Sequence, residues 1–417
     1  MCACIFVMTT TITHPGDLLT RRQRLVYIIL LGALIALGPF TIDLYLPAFL
    51  VIAGELAVSE AAVQLTLTAT TIGFGLGQLI VGPWTDRVGR RMPLIVASSV
   101  HVLASIGVAM SPDITWILWF RVLQGVGAAA GGVVAMAMVR DLFGGRPLVR
   151  MLSRLALVTG LAPIIAPVIG SQLLLVLDWR GVFVFLAAYG LLVVLAATLF
   201  IVETLPAENR ALPGHSTMRE RYGAIFQDRV FVGVAVISSM AFSGLFAYLA
   251  SAPFLFQEVY GASAQEFGLL FAINSIGVVV GTQTSARISR RIAPQWILAA
   301  STSVMFVSSV AIVILDLAGA GLLGVMVPLW FFITAVGFTM PMVQVLALVN
   351  HGSEAGTAAS VLGAMNFGLA GVISPLAGFF GVGSAVPMGT LMAVTSSVGV
   401  AGLWLIVRPR TVPELSH

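Results

Sequence analysis

Apolar runs of about twenty residues recur from one end of this chain to the other, and no other feature constrains its fold as tightly. A helix rising about 1.5 Å per residue needs about 20 apolar residues to cross a hydrocarbon core of about 30 Å. Twelve segments meet that requirement, near 25–50, 62–83, 92–111, 114–139, 152–176, 180–202, 231–256, 264–286, 294–315, 321–349, 355–382 and 385–407. In lipid a backbone must satisfy its own polar groups, so each segment is expected to be a helix. Only 9% of the residues are charged, against roughly 25% in a soluble domain, too few to cover a water-facing surface. The expectation is an all-α membrane protein with twelve transmembrane helices.

The charges sort by side. All 21 basic residues are arginine. Arg21, Arg22 and Arg24 precede segment 1, and Arg87, Arg90 and Arg91 separate segments 2 and 3. Arg140, Arg146, Arg150 and Arg154 surround the connection from 4 to 5, and Arg210, Arg219, Arg221 and Arg229 follow segment 6. Arg287, Arg290 and Arg291 separate 8 and 9, while Arg408 and Arg410 follow segment 12. These are alternate connections, so they share one side of the membrane. The other side carries Glu55, Glu60, Asp113, Asp178, Glu258 and Asp316. Arginine-rich loops resist translocation, which places both termini in the cytoplasm; the expected location is the inner membrane. Arg121 and Arg180 alone depart from the pattern. The same asymmetry accounts for the net charge of +4 without a nucleic-acid partner. Cys2 and Cys4 lie at the extreme N-terminus, so no internal disulfide, metal site or cofactor is expected, and "MCACIFVM" lacks the preceding basic residues of a signal peptide.

A polar stretch at 203–230 divides the chain. The expected organisation is a cytoplasmic tail (1–24), a six-helix bundle (25–202), a cytoplasmic linker (203–230), a second six-helix bundle (231–407) and a second tail (408–417). The halves read as distant copies. Arg87, Arg90 and Arg91 recur as Arg287, Arg290 and Arg291, with Ala286 where Asp86 would stand, and Pro167-x-x-Gly170 is echoed by Pro375-x-x-Gly378. Two pseudo-symmetric bundles suit a transporter that rocks about a site near the membrane midplane.

Four constellations carry candidate chemistry. Asp43 is the one carboxylate well inside a segment, and a charge there costs roughly 2.5–3.5 kcal/mol on insertion scales, so it should face a cavity. Arg121, at similar depth on segment 4 with Gln124 one turn on, can pair with it directly or through water. The pair either orders segments 1 and 4 or couples proton movement to transport. On segment 2, Gln64, Thr68, Thr71, Gly75, Gln78 and Gly82 share one face by their 4-3-4-3-4 spacing, which suits close helix packing, with Gln78 able to look into a cavity. Gly160, Pro163, Pro167 and Gly170 make segment 5 bendable. Tyr45, Phe246, Tyr248, Asn274 and Asn366 are candidate cavity residues. His101 reads as a hydrogen-bonded structural group. The knot "GPWTDRVGRR" (82–91) sets Gly82, Asp86, Arg87, Gly89, Arg90 and Arg91 between two apolar runs; a purely topogenic loop would need only its arginines.

That knot resembles the G-x-x-x-D-R-x-G-R-[RK] signature of the major facilitator superfamily. "FTIDLYLPAF" (40–49), "RVLQGVGAA" (121–129), "VRDLF" (139–143), "LAPIIAPVIGSQL" (161–173), "WRGVFVF" (179–185), "ETLP" (203–206), "FAYLASAPFLFQEVYG" (246–261) and "GTAAS" (356–360) are similar to its drug/proton antiporter branch, specifically the bicyclomycin/chloramphenicol-resistance (Bcr/CflA-like) group. The resemblance runs from about residue 25 to 405. It implies the major facilitator fold, a functional monomer, and a proton-coupling role for "RVLQG". It also implies a helix-5 antiporter motif, here with Ala166 in place of the usual glycine. The knot becomes a conformational latch in which Asp86 meets the start of segment 11 near Ser353–Gly356.

The function expected is that of a proton-coupled secondary transporter exporting small lipophilic or amphiphilic drugs by alternating access. Its partners are drugs, protons and the lipid bilayer, and its driving force is the proton motive force. An exporter of one endogenous metabolite, such as a sugar, nucleoside or siderophore, would show one tight competitor rather than a broad competition profile. An intramembrane enzyme or sensor would cluster His, Asp, Glu or Ser at one depth, where only Asp43, Arg121 and His101 occur. No phosphate-binding loop suggests ATP coupling.

Overall fold

The computed structural model describes residues 15–210, 223, 225–348, 355–381 and 383–412, and among these every regular element is helical. Cys2, Cys4, Arg219, Arg221 and Ser353 lie outside the described residues. Among the described residues, twelve helices are long and apolar enough to cross a membrane. They are α1 (Arg21–Leu56), α2 (Glu60–Val88), α3 (Arg91–Ala109), α4 (Ile114–Leu142), α5 (Pro147–Leu173) and α6 (Trp179–Phe200), then α7 (Arg229–Val259), α8 (Ala264–Ile288), α9 (Pro294–Leu317), α10 (Gly321–Leu348), α11 (Gly356–Phe379) and α12 (Val386–Thr411).

Two boundaries differ informatively from the apolar pattern. α1 runs to Leu56 rather than about 50, but it is not continuous. Its first stretch ends at Asp43, a short 3-10 turn covers Leu46–Ala48, and the helix resumes at Phe49. Pro47 has no N–H to continue the ladder, so the break falls immediately after Asp43. α5 begins earlier than 152, so Arg150 sits in a helical turn rather than a loop.

The acids opposite the arginines have structural work. Asp113 caps α4, its Oδ1 accepting from the Thr115 and Trp116 amides at 2.9 and 3.2 Å, and Asp178 caps α6 through the Gly181 amide at 2.8 Å. Such caps satisfy amide donors that a helix start leaves unpaired. Glu55 accepts from Trp179 Nε1 at 2.8 Å and pairs with Arg180, which lies over the Trp179 ring. That pairing explains one arginine on the acidic face. Asp316 accepts from the Tyr260 hydroxyl and the Ala385 amide.

Glycine sets the tightest crossings. A Cβ added to Gly73 of α2 would come 3.1 Å from the Gly125 Cα of α4, and one added to Gly281 of α8 would come 3.0 Å from the Gly337 Cα of α10. α8 and α10 therefore repeat the α2–α4 crossing, a third correspondence between the halves, which sequence pattern alone missed. The buried apolar residues form three clusters. One spans both halves and includes Tyr45, Phe49, Trp179, Phe246, Phe254 and Phe332. The second holds Tyr27, Leu94, Met138 and Met151 of the first half, and the third Phe231, Leu298, Leu346 and Val407 of the second. The halves share a core toward the acidic face and keep separate cores toward the arginine-rich face.

Candidate functional site

Polar side chains of α1–α4 meet at the α1 break. Asp43 is 4% exposed, and Arg121, Gln124, Thr41 and His101 are fully buried. Arg121 Nη1 donates to the Thr41 carbonyl at 3.0 Å and to Gln124 Oε1 at 2.5 Å. Gln124 Nε2 donates to Ser105 Oγ at 2.7 Å, and Ser105 Oγ donates to the His101 carbonyl. Thr41 Oγ1 donates to the Leu37 carbonyl, which leaves it to accept from His101 Nε2 at 2.9 Å. The guanidinium lies 4.0 Å from the Tyr45 ring centroid and 5.6 Å from that of Phe183, and the Tyr45 hydroxyl meets Thr66 Oγ1 at 3.0 Å.

Arg121 and Gln124 are thus brought together, but Asp43 and Arg121 are not within the 4.0 Å of an ion pair. Arg121 Nε and Nη2 have no hydrogen-bond partner. A buried arginine held by one amide, one carbonyl and an aromatic face is under-partnered. The aromatic contact contributes about 2 kcal/mol when desolvated, while an unpaired buried ion costs several kcal/mol. Of the two expected arrangements, a direct Asp43–Arg121 pair or one through water, the direct pair is not formed: the Pro47 break turns the chain just after Asp43, and Arg121 reaches the carbonyl two residues earlier.

The second half contributes Tyr248, stacked on Phe271 with centroids 5.6 Å apart, and Asn274, whose Nδ2 reaches the Tyr248 hydroxyl at 3.3 Å while its Oδ1 has no partner. Asn366 Oδ1 accepts from Ser239 at 3.2 Å. Phe246 is buried in an aromatic group that bridges the halves: Phe74 of α2 stacks on Phe367 of α11 at 5.0 Å, and Phe242 and Phe246 pack on Phe367. Sequence reasoning missed Phe74 and Phe367, which sit among many aromatics in apolar runs.

The small-and-polar face of α2 packs on α11 along its length. Gln78 lies against Gly363, Gly75 against Ala364 and Gly368, Thr71 against Gly371, Gln64 against Gly378, and Gly82 near Ser360. This is helix packing, and Gln78 sits in the seam rather than apart from it. Toward the acidic face Gln64 Nε2 and Oε1, Thr68 Oγ1 and Ser374 Oγ are buried without partners. Ser374 falls between Gly371 and Gly378 by helical spacing, so these atoms share one strip of the seam.

α5 carries its motif between the halves. A Cβ on Gly160 would meet Val279 of α8, and one on Gly268 of α8 would come 3.1 Å from the Pro167 carbonyl. Gly170 instead receives the Leu44 backbone at the α1 break. Pro163 and Pro167 both lie inside the helix.

The charge knot closes within the first half. Gly89 turns the chain at φ 104°, where a side chain is disfavoured. Arg90 binds Asp86 at 2.5 Å, Asp141 of α4 at 3.0 Å and Thr85 at 3.1 Å. The Glu203 carboxylate accepts from the Arg90, Arg91 and Leu205 amides at 2.8, 3.2 and 3.0 Å. Arg91 Nη2 donates to the Thr198 carbonyl, and Thr204 to Asp141. Burial opposes the charge of Glu203, yet those three amides and Arg210 outweigh it and hold the carboxyl below its ordinary range. Burial likewise opposes the Arg90 charge, and Asp141 and Asp86 reverse the balance and raise it. Asp86 keeps 56% of its side chain exposed and takes Arg90 as its partner. Of the expected α11 contact, Ser353 is outside the described residues, and a Cβ on Gly356 would meet nothing within 4 Å. Asp141 and Glu203, inside the quoted "VRDLF" and "ETLP", were the signal for this clasp.

Comparison with known proteins places the chain. The sequence profile of the Major Facilitator Superfamily matches residues 28–375. An uncharacterized MFS-type transporter of Bacillus subtilis, YdgK, is 35% identical over 94% of this chain and 98% of its own. A bicyclomycin resistance protein homolog of Haemophilus influenzae is 27% identical over 93% of this chain and 97% of its own. The multidrug resistance protein MdtL of Shigella flexneri is 29% identical over 79% of this chain and 83% of its own. Among solved structures, the human organic anion transporter MFSD10 superposes with a TM-score of 0.66 at 18% identity, covering 93% of this chain and all of that one. A bacterial homolog of the human lysosomal transporter Spinster gives 0.66 at 15%, over 94% and 96%. Twelve apolar helices, a bundle-bridging interior and a profile match over most of the chain lead to one conclusion: this is a multi-pass membrane transporter, and it belongs to the major facilitator superfamily.

Proposed function

We propose that this transporter exports small lipophilic or amphiphilic drugs in exchange for protons, by alternating access. The observation that carries the reading is that the buried Asp43 forms no ion pair with the under-partnered Arg121. An unpaired carboxyl in a low-dielectric interior is tolerated as the neutral acid. On this reading, the arrangement with Arg121 against Tyr45 and Gln124 is the proton-loaded state. Loss of the proton creates a charge that draws the guanidinium and alters the α1 break, and with it the contact of Leu44 on Gly170 of α5. The core shared by the halves at the acidic face, where Phe49 of α1 meets Phe254 of α7, supports a state closed to the outside.

Relatives named for bicyclomycin and multidrug resistance support the substrate class. The Asn274 amide, buried with one end unpaired, supports substrates that carry a hydrogen-bonding group. The reading includes an inner-membrane location with cytoplasmic termini, a functional monomer, and the proton motive force in place of a cofactor.

The test is substrate-induced proton movement in proteoliposomes, comparing wild type with Asp43→Asn over neutral and cationic drugs. Proton release on drug addition in wild type, absent in a variant that still binds drug, is expected. A variant that couples normally would remove Asp43 from the mechanism.

A further inference from the structure

Three arginines at the arginine-rich end of the first half stand apart from the charge knot. Arg24 lies in the first turn of α1, and Arg150 and Arg154 lie one turn apart near the start of α5. With Phe143, Pro147 and Met151 they line a cavity of about 100 Å³. Sites for drug-sized molecules begin at about 300 Å³, so this one suits a small group such as phosphate.

None of the three arginines forms an ion pair with a described residue. Arg24 donates from Nη2 to the Gly16 carbonyl at 3.1 Å, but its buried Nε has no partner. Arg90 on the same face engages two carboxylates; here no carboxylate among the described residues pairs with the three cations, and Arg24 lies 6.0 Å from the Phe143 ring centroid. Like charges four residues apart on a helix repel by a few tenths of a kcal/mol, and a bound anion reverses that sign. The helix carrying Arg150 starts at Gly145, and its N-cap, Gly144, supplies no side-chain cap. Its first amides therefore add a positive field beside the cavity.

The surroundings identify where the anion comes from. Beyond Arg154 the same face of α5 continues as Leu157 and Leu161, both exposed, and α1 presents exposed Leu25 and Ile29. A phosphate pocket above an exposed apolar strip fits a molecule with a charged head and acyl chains. We propose that this pocket binds the phosphate of an anionic lipid from the leaflet at the arginine-rich face. Basic pockets between helices at that boundary are suited to such headgroups, each arginine contributing on the order of a tenfold factor or less.

The experiment uses delipidated full-length protein in neutral detergent, titrated separately with phosphatidylglycerol, phosphatidylcholine and inorganic phosphate, with binding read by native mass spectrometry and thermal midpoint. Wild type is expected to bind phosphatidylglycerol and to gain thermal stability, with little response to the other two. Arg150→Gln/Arg154→Gln should weaken phosphatidylglycerol binding about tenfold or more. Arg290→Gln/Arg291→Gln, on the same face but outside the pocket, should leave it unchanged. Retained binding in the first variant, or equal loss in the second, overturns the site. Saturation by inorganic phosphate at equal concentration overturns the lipid assignment in favour of a soluble phosphate. None of these readouts involves transport, so they stand apart from the test of Asp43.

Discussion

The Tyr45 ring gives Arg121 part of what a carboxylate gives most buried arginines. If the ring face is what holds the guanidinium, Tyr45→Phe should change the thermal midpoint little, losing only the contact with Thr66. Tyr45→Leu should cost about 2 kcal/mol, and thermal unfolding of the two variants in detergent separates these outcomes. Gln64 predicts the opposite sign. Its two amide atoms are buried without partners, and each such group costs about 1–3 kcal/mol. Gln64→Met keeps the shape and removes the unpaired atoms, so it should raise the midpoint; a fall would mean that Gln64 finds a partner in the working protein. Asp43 and Arg121 were legible in the sequence because an isolated charge in an apolar run is conspicuous. Thr41, Thr66 and Ser105 were not. Hydroxyls in such helices commonly bond back to their own turn, as Thr41 and Ser105 also do here, and spacing does not reveal which also reach across.

Between helices, the paired glycines Gly73–Gly125 and Gly281–Gly337 set how closely two crossings can approach. Gly125→Ala would drive a methyl into the Thr70 carbonyl and to 2.9 Å from the Phe74 amide. Overpacking of this kind costs typically 1–3 kcal/mol, so Gly125→Ala and Gly337→Ala should both lower yield and thermal midpoint. Gly132→Ala, where an added Cβ meets nothing within 4 Å, should be neutral. With 43 glycines in the chain, composition alone could not tell which of them meet. The linker clasp has a pH signature. Because native contacts depress the Glu203 carboxyl, its contribution is present above the unfolded value of about 4.3 and is lost as pH falls through the lower folded value. Protection of the Arg90 and Arg91 amides in hydrogen exchange should therefore decline only in acid below about pH 4, and Glu203→Gln should remove that dependence.

For the molecule as a whole, membrane topology can be checked independently of the proton mechanism. In a cysteine-free background, Ala318→Cys, at an exposed position between α9 and α10, should react with an impermeant maleimide added outside intact cells, and Arg290→Cys should not. On the proposed drug/proton exchange, Gln64→Cys, buried in the α2–α11 seam, should react only when drug and a proton gradient drive turnover. Labelling of Arg290→Cys from outside would invert the assigned orientation. The twelve-helix architecture was readable because hydrocarbon thickness imposes a length on every crossing. The three-part core was not, because it depends on which ends of the halves touch.

The strip formed by Gln64, Thr68 and Ser374 has one further consequence. Sealed, these groups are buried without a protein partner; parted, each can take up solvent. Opening the acidic face must then draw in water, and closing must expel it. Turnover should consequently respond to osmotic pressure: a solute too large to enter the seam, and excluded from protein surfaces, will favour the sealed form and slow each cycle even at fixed drug and proton gradients.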